Sequence, residues 1–209
     1  MVLYVATTNP GKLRDFALAA ERLAGTGSAG EVRFETIPGL STIPAPEEDQ
    51  DSFEGNARLK AEYYSRRAPG LLVLADDSGL EVDALEGRPG VRSARFAADL
   101  GREDADGDTD RANNEALMLA MLEQTDRRGR YRCVLALARD GEVLATAEGS
   151  LEGEVLNDPE GDGGFGYDPL FYVPEMGCTM AQVGPEDRLR LSHRGRALRR
   201  LLAEYPALG

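Results

Sequence analysis

The segment from Leu74 to Ala97, LADDSGLEVDALEGRPGVRSARFA, constrains the fold more than any other part of the chain. An apolar run, LLVLA at 71–75, meets Asp76, Asp77, Ser78 and Gly79 with no polar transition. Read as a buried strand that stops there, it delivers two carboxylates to the rim of a sheet, where open α/β sheets hold ligands. Asp, Ser and Gly also form turns, so an acidic turn is the plain alternative. Neighbouring carboxylates repel unless a positive charge lies close, and Mg²⁺ prefers hard oxygen ligands of this kind. The stretch that follows carries Gly87, Arg88, Pro89, Gly90, Arg92 and Arg95, a composition suited to phosphate.

The flanking segments set the fold class. VLYVA at 2–6 reads as a buried strand, TTNPGK as a loop, and residues 11–24 as a helix. GTGSAG at 25–30 is a turn, VRFETI at 32–37 a strand, and 38–51 an acidic, Pro-rich loop. A helix fits Ser52 to Ala68, with Phe53, Ala57, Ala61, Tyr64 and Ala68 on one face. Residues 110–123 form another, capped by Thr109 or Asp110. YRCVLALA and EVLATAEG flank Arg139-Asp140-Gly141 as a hairpin, and a third strand near 150–156 extends it. Ser192 caps a last helix that buries Ala197, Leu198, Leu201, Leu202 and Tyr205. Strand–helix alternation followed by antiparallel strands predicts an α/β protein with a mixed sheet. No internal repeat and no linker divides residues 1–209, which read as one domain.

Charge narrows the partners. A formal net charge of −13 argues against a nucleic-acid polymer, which wants a basic face. A few Lys and Arg focused beside a metal still suit an acidic small molecule. The two cysteines, Cys133 and Cys178, have no metal-ligand spacing, which predicts a reducing compartment. The start has no basic n-region, and no apolar run reaches about 18 residues, so a cytoplasmic protein without a membrane partner is expected.

Four further groups carry chemistry, each with a bland reading beside it. In TTNPGK the residues Thr7, Thr8, Asn9, Pro10, Gly11 and Lys12 join strand to helix. They form either an anion site at a helix N-terminus or a cap and turn. Lys60 lies on the apolar face of its helix, one turn after Asn56. Its stem either snorkels to solvent or aims an ammonium into a cleft. Phe165, between glycines in GGFGYDP, either anchors a loop or stacks on something flat. His193, the only histidine, stands beside Arg194 at a helix start, a placement that favours polar recognition over proton transfer.

Taken in order, TTNPGK, FEGNARLKA, LADDSGLEVDALEGRPGVRSARFA, GFGYDPLF and SHRGRAL resemble the inosine/xanthosine triphosphate pyrophosphatase family across residues 6 to 198. The resemblance implies an elongated mixed sheet flanked by helices, with two lobes around a central cleft, and a homodimer. It implies Mg²⁺-dependent hydrolysis of ITP, dITP and XTP to monophosphate and pyrophosphate. Thr7 to Lys12 would hold the triphosphate, and Ser78 and Lys60 its phosphate oxygens. Glu48 and Asp77 would hold Mg²⁺ with Asp76 supporting, and Asp77 would be the general base. Phe165 would stack on the base, Gly166, Tyr167 and Asp168 would complete that wall, and His193 and Arg194 would read the purine edge.

Two positions depart from the pattern. Arg188 stands where the family usually has lysine, and Gln182 where a glutamate is common. A planar guanidinium replaces a point charge at the first, so base-edge geometry can differ. An enzyme of broader base choice and a nucleotide-binding module without turnover are the rival readings. The second would be expected to lack Glu48, Asp76 and Asp77, which are all present.

Overall fold

The structure is a computed structural model that describes residues 1–25, 32–102 and 106–204. The turn expected after Gly25, and Tyr205, lie outside the described residues. Strand β1 (Val2–Val5) leads to helix α1 (Pro10–Gly25), strand β2 (Arg33–Thr36) and helix α2 (Phe53–Arg67). Strand β3 (Val73–Val82) is followed by helices α3 (Phe96–Asp99) and α4 (Thr109–Met121). Strands β4 (Arg128–Arg139), β5 (Glu142–Val155), β6 (Phe171–Val173) and β7 (Cys178–Thr179) precede helices α5 (Pro185–Leu191) and α6 (His193–Glu204).

The seven strands form one mixed sheet in the order β2-β1-β3-β4-β5-β6-β7. β1 runs parallel to β2 and β3, with Val5 opposite Thr36 and Leu74. β6 runs antiparallel to β5 and β7. The α/β class expected from the alternation is the one observed. No described helix is long and apolar enough to cross a membrane.

Three expectations are corrected. The strand after Leu71 does not stop at the aspartates; β3 continues through Asp76-Asp77-Ser78-Gly79 to Val82. Gly79 has a steric reason to be there, because a Cβ would stand 2.3 Å from Ser93 Oγ and 2.4 Å from the Gly90 carbonyl oxygen. The expected third strand near 150–156 is the second half of β5, which is unbroken for 14 residues. Asp108, rather than Thr109 or Asp110, caps α4, its side chain accepting from Arg111 N. The hairpin turn is as expected, with Asp140 and Gly141 both at positive φ (52° and 86°) as a tight two-residue connection requires.

The chain divides into two compact units, neither a continuous piece of sequence. The first comprises 1–77, 133–149 and 189–209, the second 78–132 and 150–188. In the first, Leu3, Val5, Leu74, Leu135 and Leu137 of the strands pack with Phe16 and Ala19 of α1 and Ala197, Leu198 and Leu201 of α6. In the second, Leu80, Val82, Leu151, Val155 and Phe171 pack with Ala112, Ala116, Leu117 and Met121 of α4.

Candidate active site

Successive side chains of a strand point to opposite faces. Adjacent carboxylates inside β3 therefore address different surroundings. Asp76 Oδ2 lies 3.0 Å from Lys12 Nζ of α1 and 3.3 Å from Arg194 Nη2 of α6. Arg194 Nη1 also donates to Asp15 of α1, and this guanidinium is only 2% exposed. Burial opposes the charge on Asp76, yet Lys12 and Arg194 hold its carboxyl well below the usual range. Asp76 is therefore a fixed anion.

Asp77 meets a different set. Its Oδ1 accepts from Lys60 Nζ at 2.9 Å and its Oδ2 from Asn56 Nδ2 at 3.2 Å. Lys60 also reaches Glu48 Oε2 at 3.0 Å. Lys60 is 8% exposed and its ammonium is held by two carboxylates, so it does not snorkel. Burial alone would lower its pKa, but Asp77, Asp76 and Glu48 keep it raised and charged. Burial raises the Asp77 carboxyl against the pull of Lys60, and Glu48 adds to the rise. Two adjacent carboxyls are thus pushed in opposite directions, the condition under which like groups take unlike roles.

Helix α2 delivers both partners. Ser52 caps it, its hydroxyl accepting from Gly55 N at 3.0 Å. Asn56 and Lys60, one turn apart, share the buried face with Phe53, Ala57 and Tyr64. Asn56 also binds both backbone groups of Gln50, accepting from N at 3.1 Å and donating to O at 3.4 Å. Tyr63 donates to the Pro44 carbonyl at 2.8 Å. The acidic loop that carries Glu48 is thereby tied to α2 on both sides of that residue. Glu48 and Asp77, both within ion-pair reach of one ammonium, offer hard oxygen donors that fit a divalent cation whose other ligands are phosphate and water. Among the described residues no three or more Asp, Glu, His or Cys side chains form a metal cluster.

At the start of α1 a side-chain cap forms. Asn9 Oδ1 accepts from the amides of Gly11 (2.8 Å) and Lys12 (3.1 Å), Thr7 Oγ1 accepts from Asn9 N, and Pro10 opens the helix. Thr8, Asn9 and Pro10 are exposed, and the Lys12 ammonium is only partly covered.

The second unit holds the aromatic loop. Asp168, 4% exposed, accepts from Phe165 N (2.9 Å), Tyr131 Oη (3.1 Å) and Arg188 Nη2. Burial raises the Asp168 carboxyl, opposed first by Arg188. Arg188 Nη1 donates to the Met180 carbonyl at 2.8 Å, so the two ends of its planar fork serve two acceptors. Tyr167 Oη donates to the Ser93 carbonyl at 2.7 Å, and Ser93 Oγ accepts from Leu80 N at 2.8 Å. Gln182 Oε1 accepts from Thr179 N at 2.9 Å, a role a glutamate oxygen could also fill. Phe165 lies between Gly164 (φ 80°) and Gly166 (φ 62°) and is half-buried.

The structure thus gathers Lys12, Glu48, Lys60, Asp76, Asp77 and Arg194 in the first unit, and Phe165, Gly166, Tyr167, Asp168 and Arg188 in the second. Ser78 begins the second unit and His193 opens α6 in the first, 8% exposed. Arg194 has both ends of its guanidinium on carboxylates, Asp15 and Asp76. Arg92 Nε donates to Asp99 at 2.7 Å. Asp15, Asn56, Tyr131, Asp110 and Asn114 were not singled out for the site from the sequence. For Asp15 the signal was available: it shares the inward side of α1 with Phe16 and Ala19, an acid on an apolar stripe just as Lys60 is a base on one.

Comparison with known proteins gives the family. The model of the Ham1 family matches residues 3–204. A dITP/XTP pyrophosphatase of Acidobacterium capsulatum is 56% identical over 209 residues, covering 99% of this chain and 98% of that protein. One from Thermus thermophilus is 46% identical, covering 98% and 92%. The solved structure of the Staphylococcus aureus Ham1 protein superposes with a TM-score of 0.79 at 35% identity, covering the whole of both chains. The chain belongs to the Ham1 family.

Proposed function

We propose that this Ham1-family enzyme hydrolyses dITP, ITP and XTP to the nucleoside monophosphate and pyrophosphate, clearing deaminated purines from the nucleotide pool. The observation that carries the reading is the convergence of Glu48, Lys60 and Asp77, a buried cation between a metal-competent pair of carboxylates. Water supplies the new P–O bond, the anhydride bond between the α and β phosphorus breaks, and pyrophosphate leaves. Asp77 takes the water proton as general base. Glu48 and Asp77 are assigned to Mg²⁺, which when bound neutralises and orients the triphosphate. Asp76 supports them by its charge, from the other face of β3.

Lys12, Lys60 and Ser78, with Thr7, Thr8, Asn9, Pro10 and Gly11, are assigned to the phosphates, where positioning and charge neutralisation are the main needs. Phe165 stacks on the base, with Gly166, Tyr167, Asp168 and Arg188 as its wall, and His193 donates to its edge. Arg194 is assigned to holding Asp15 and Asp76. The chain acts as one domain and as a homodimer in the cytoplasm; its two free thiols and net charge of −13 suit that compartment and a small nucleotide rather than a nucleic-acid polymer.

A panel of ITP, dITP, XTP, GTP, ATP and CTP with Mg²⁺, scored for products, tests the reading. Equimolar monophosphate and pyrophosphate from ITP, dITP and XTP, with ATP and CTP slow, is the expected result. Release of orthophosphate, or equal rates on all six, overturns it.

A further inference from the structure

The loop that carries Phe165 is gripped from outside by α4, through two residues to which the proposed reaction assigns no part. Asp110 Oδ2 accepts from Gly166 N at 2.7 Å, and Asn114 Nδ2 donates to Gly166 O at 2.8 Å. Both backbone groups of one glycine are thus held by side chains one helical turn apart. Asn114 Nδ2 also donates to the Asp110 carbonyl at 2.7 Å, and these two carbonyl acceptors fix which end of the side chain is the amide nitrogen. Its Oδ1 is buried without a hydrogen-bond partner among the described residues, a cost borne to keep the nitrogen on Gly166.

Gly166 is at φ 62° and would meet nothing within 4 Å if it carried a Cβ. Packing therefore does not hold this peptide; hydrogen bonds do. Phe165 N is held at 2.9 Å by Asp168, so the aromatic residue has its own amide fixed on one side and the next peptide fixed on the other. These bonds set the backbone on which the Phe165 ring is mounted. A glycine-flanked residue without them would sample many orientations, and stacking needs one.

We propose that Asp110 and Asn114 are positioning residues for the base, holding the Gly166 peptide so that Phe165 is presented at a fixed angle to the purine. The proposal rests on the reading of Phe165 as the stacking residue. Neither residue touches substrate in this account. Their effect passes through the Gly166 peptide and the Phe165 it presents, which sets them apart from residues that hold the triphosphate.

The test is the KM and kcat for ITP of Asp110→Ala, Asp110→Asn, Asn114→Ala, Asn114→Asp, Phe165→Ala and the double variant Asp110→Ala/Phe165→Ala. It is joined by competitive inhibition with inorganic triphosphate, which has no base, and by thermal melting. Asp110 is exposed and alanine favours a helix at either position, so these variants fold. Asp110→Ala and Asn114→Ala are expected to raise KM by about three- to tenfold, the loss of one hydrogen bond, with kcat nearly unchanged. Inhibition by triphosphate stays at the wild-type value. Asp110→Asn, which keeps an acceptor for Gly166 N, restores most of the loss. Asn114→Asp, which turns a carboxylate oxygen toward two carbonyls, is worse than alanine. In the Phe165→Ala background the Asp110 substitution adds nothing. A normal KM in Asp110→Ala beside a raised KM in Phe165→Ala overturns the proposal while leaving the stacking assignment intact. A weakening of triphosphate inhibition in step with KM also overturns it. A normal KM in Phe165→Ala removes the stacking assignment and the proposal together.

Discussion

The Asp76–Asp77 region of the first unit and the Phe165–Asp168 region of the second are both polar and hydrogen-bonded, yet they are built in opposite ways. Apart from Glu48, which a loop carries, the first is made from regular elements: the middle of β3, the inner faces of α1 and α2, and the start of α6. Its partners are full charges, Lys12, Lys60 and Arg194 against Asp15, Glu48, Asp76 and Asp77. The second is a loop with glycines at positive φ, and apart from the Arg188–Asp168 pair most of its bonds go to backbone groups. Charges aimed at a triphosphate must not drift, and strands and helices fix them. A flat base needs a shaped surface, which a loop supplies when its peptides are tied.

This contrast predicts that changes in the first region alter the rate or the fold, and changes in the second alter affinity. Asp77→Asn gives the largest effect. Losing a general base lowers kcat for ITP by about 10²–10⁴-fold. A rate within about tenfold of wild type in a pyrophosphate-release assay would sink the assignment. Arg194→Ala comes next, because it leaves Asp15 and Asp76 buried without that partner. A cost of about 3–5 kcal/mol, on the order of 10 °C in Tm, is expected. Its losses on ITP, XTP, GTP and ATP should be similar; a loss confined to ITP and XTP would return Arg194 to the purine edge. Phe165→Ala should raise KM for every purine substrate by similar factors of roughly tenfold, since stacking is available to any base. Gln182→Glu should change Tm least, within about 0.5 kcal/mol, because an oxygen still faces Thr179 N. A large drop there would mean that the amide nitrogen matters.

The sequence was legible where a local rule decided the outcome. Ser52 and Ser192 each cap a helix through the side chain, and Asp140-Gly141 makes the turn. Lys60 on an apolar stripe marked a buried cation. It was not legible where a distant partner decided. Asp76 and Asp77 read as the end of a strand because Asp, Ser and Gly favour turns. What keeps them inside β3 is Lys12, Lys60 and Arg194, the last 118 positions away in the chain. The partners of the aromatic loop were hidden for the same reason, Asp110 lying 56 positions from Gly166 and Tyr131 lying 37 from Asp168. Periodicity sees a face of a helix but not what lies against it.

The central claim is that β3 gives two adjacent carboxylates opposite work, Asp76 as a structural anion and Asp77 as the reacting group. Linkage supplies a sign for each. A folded pKa below the ordinary 3.8 means that the charge on Asp76 stabilises the fold at neutral pH, a contribution lost as the pH falls below that value. A raised folded pKa means that the charge on Asp77 is held at a cost. The direct test is the Tm of Asp76→Asn and Asp77→Asn, measured side by side at pH 7. Asp76→Asn should melt well below wild type, and Asp77→Asn should lose less, because Glu48 still pairs the Lys60 ammonium. Equal losses in both, or a loss in Asp77→Asn alone, would contradict the account.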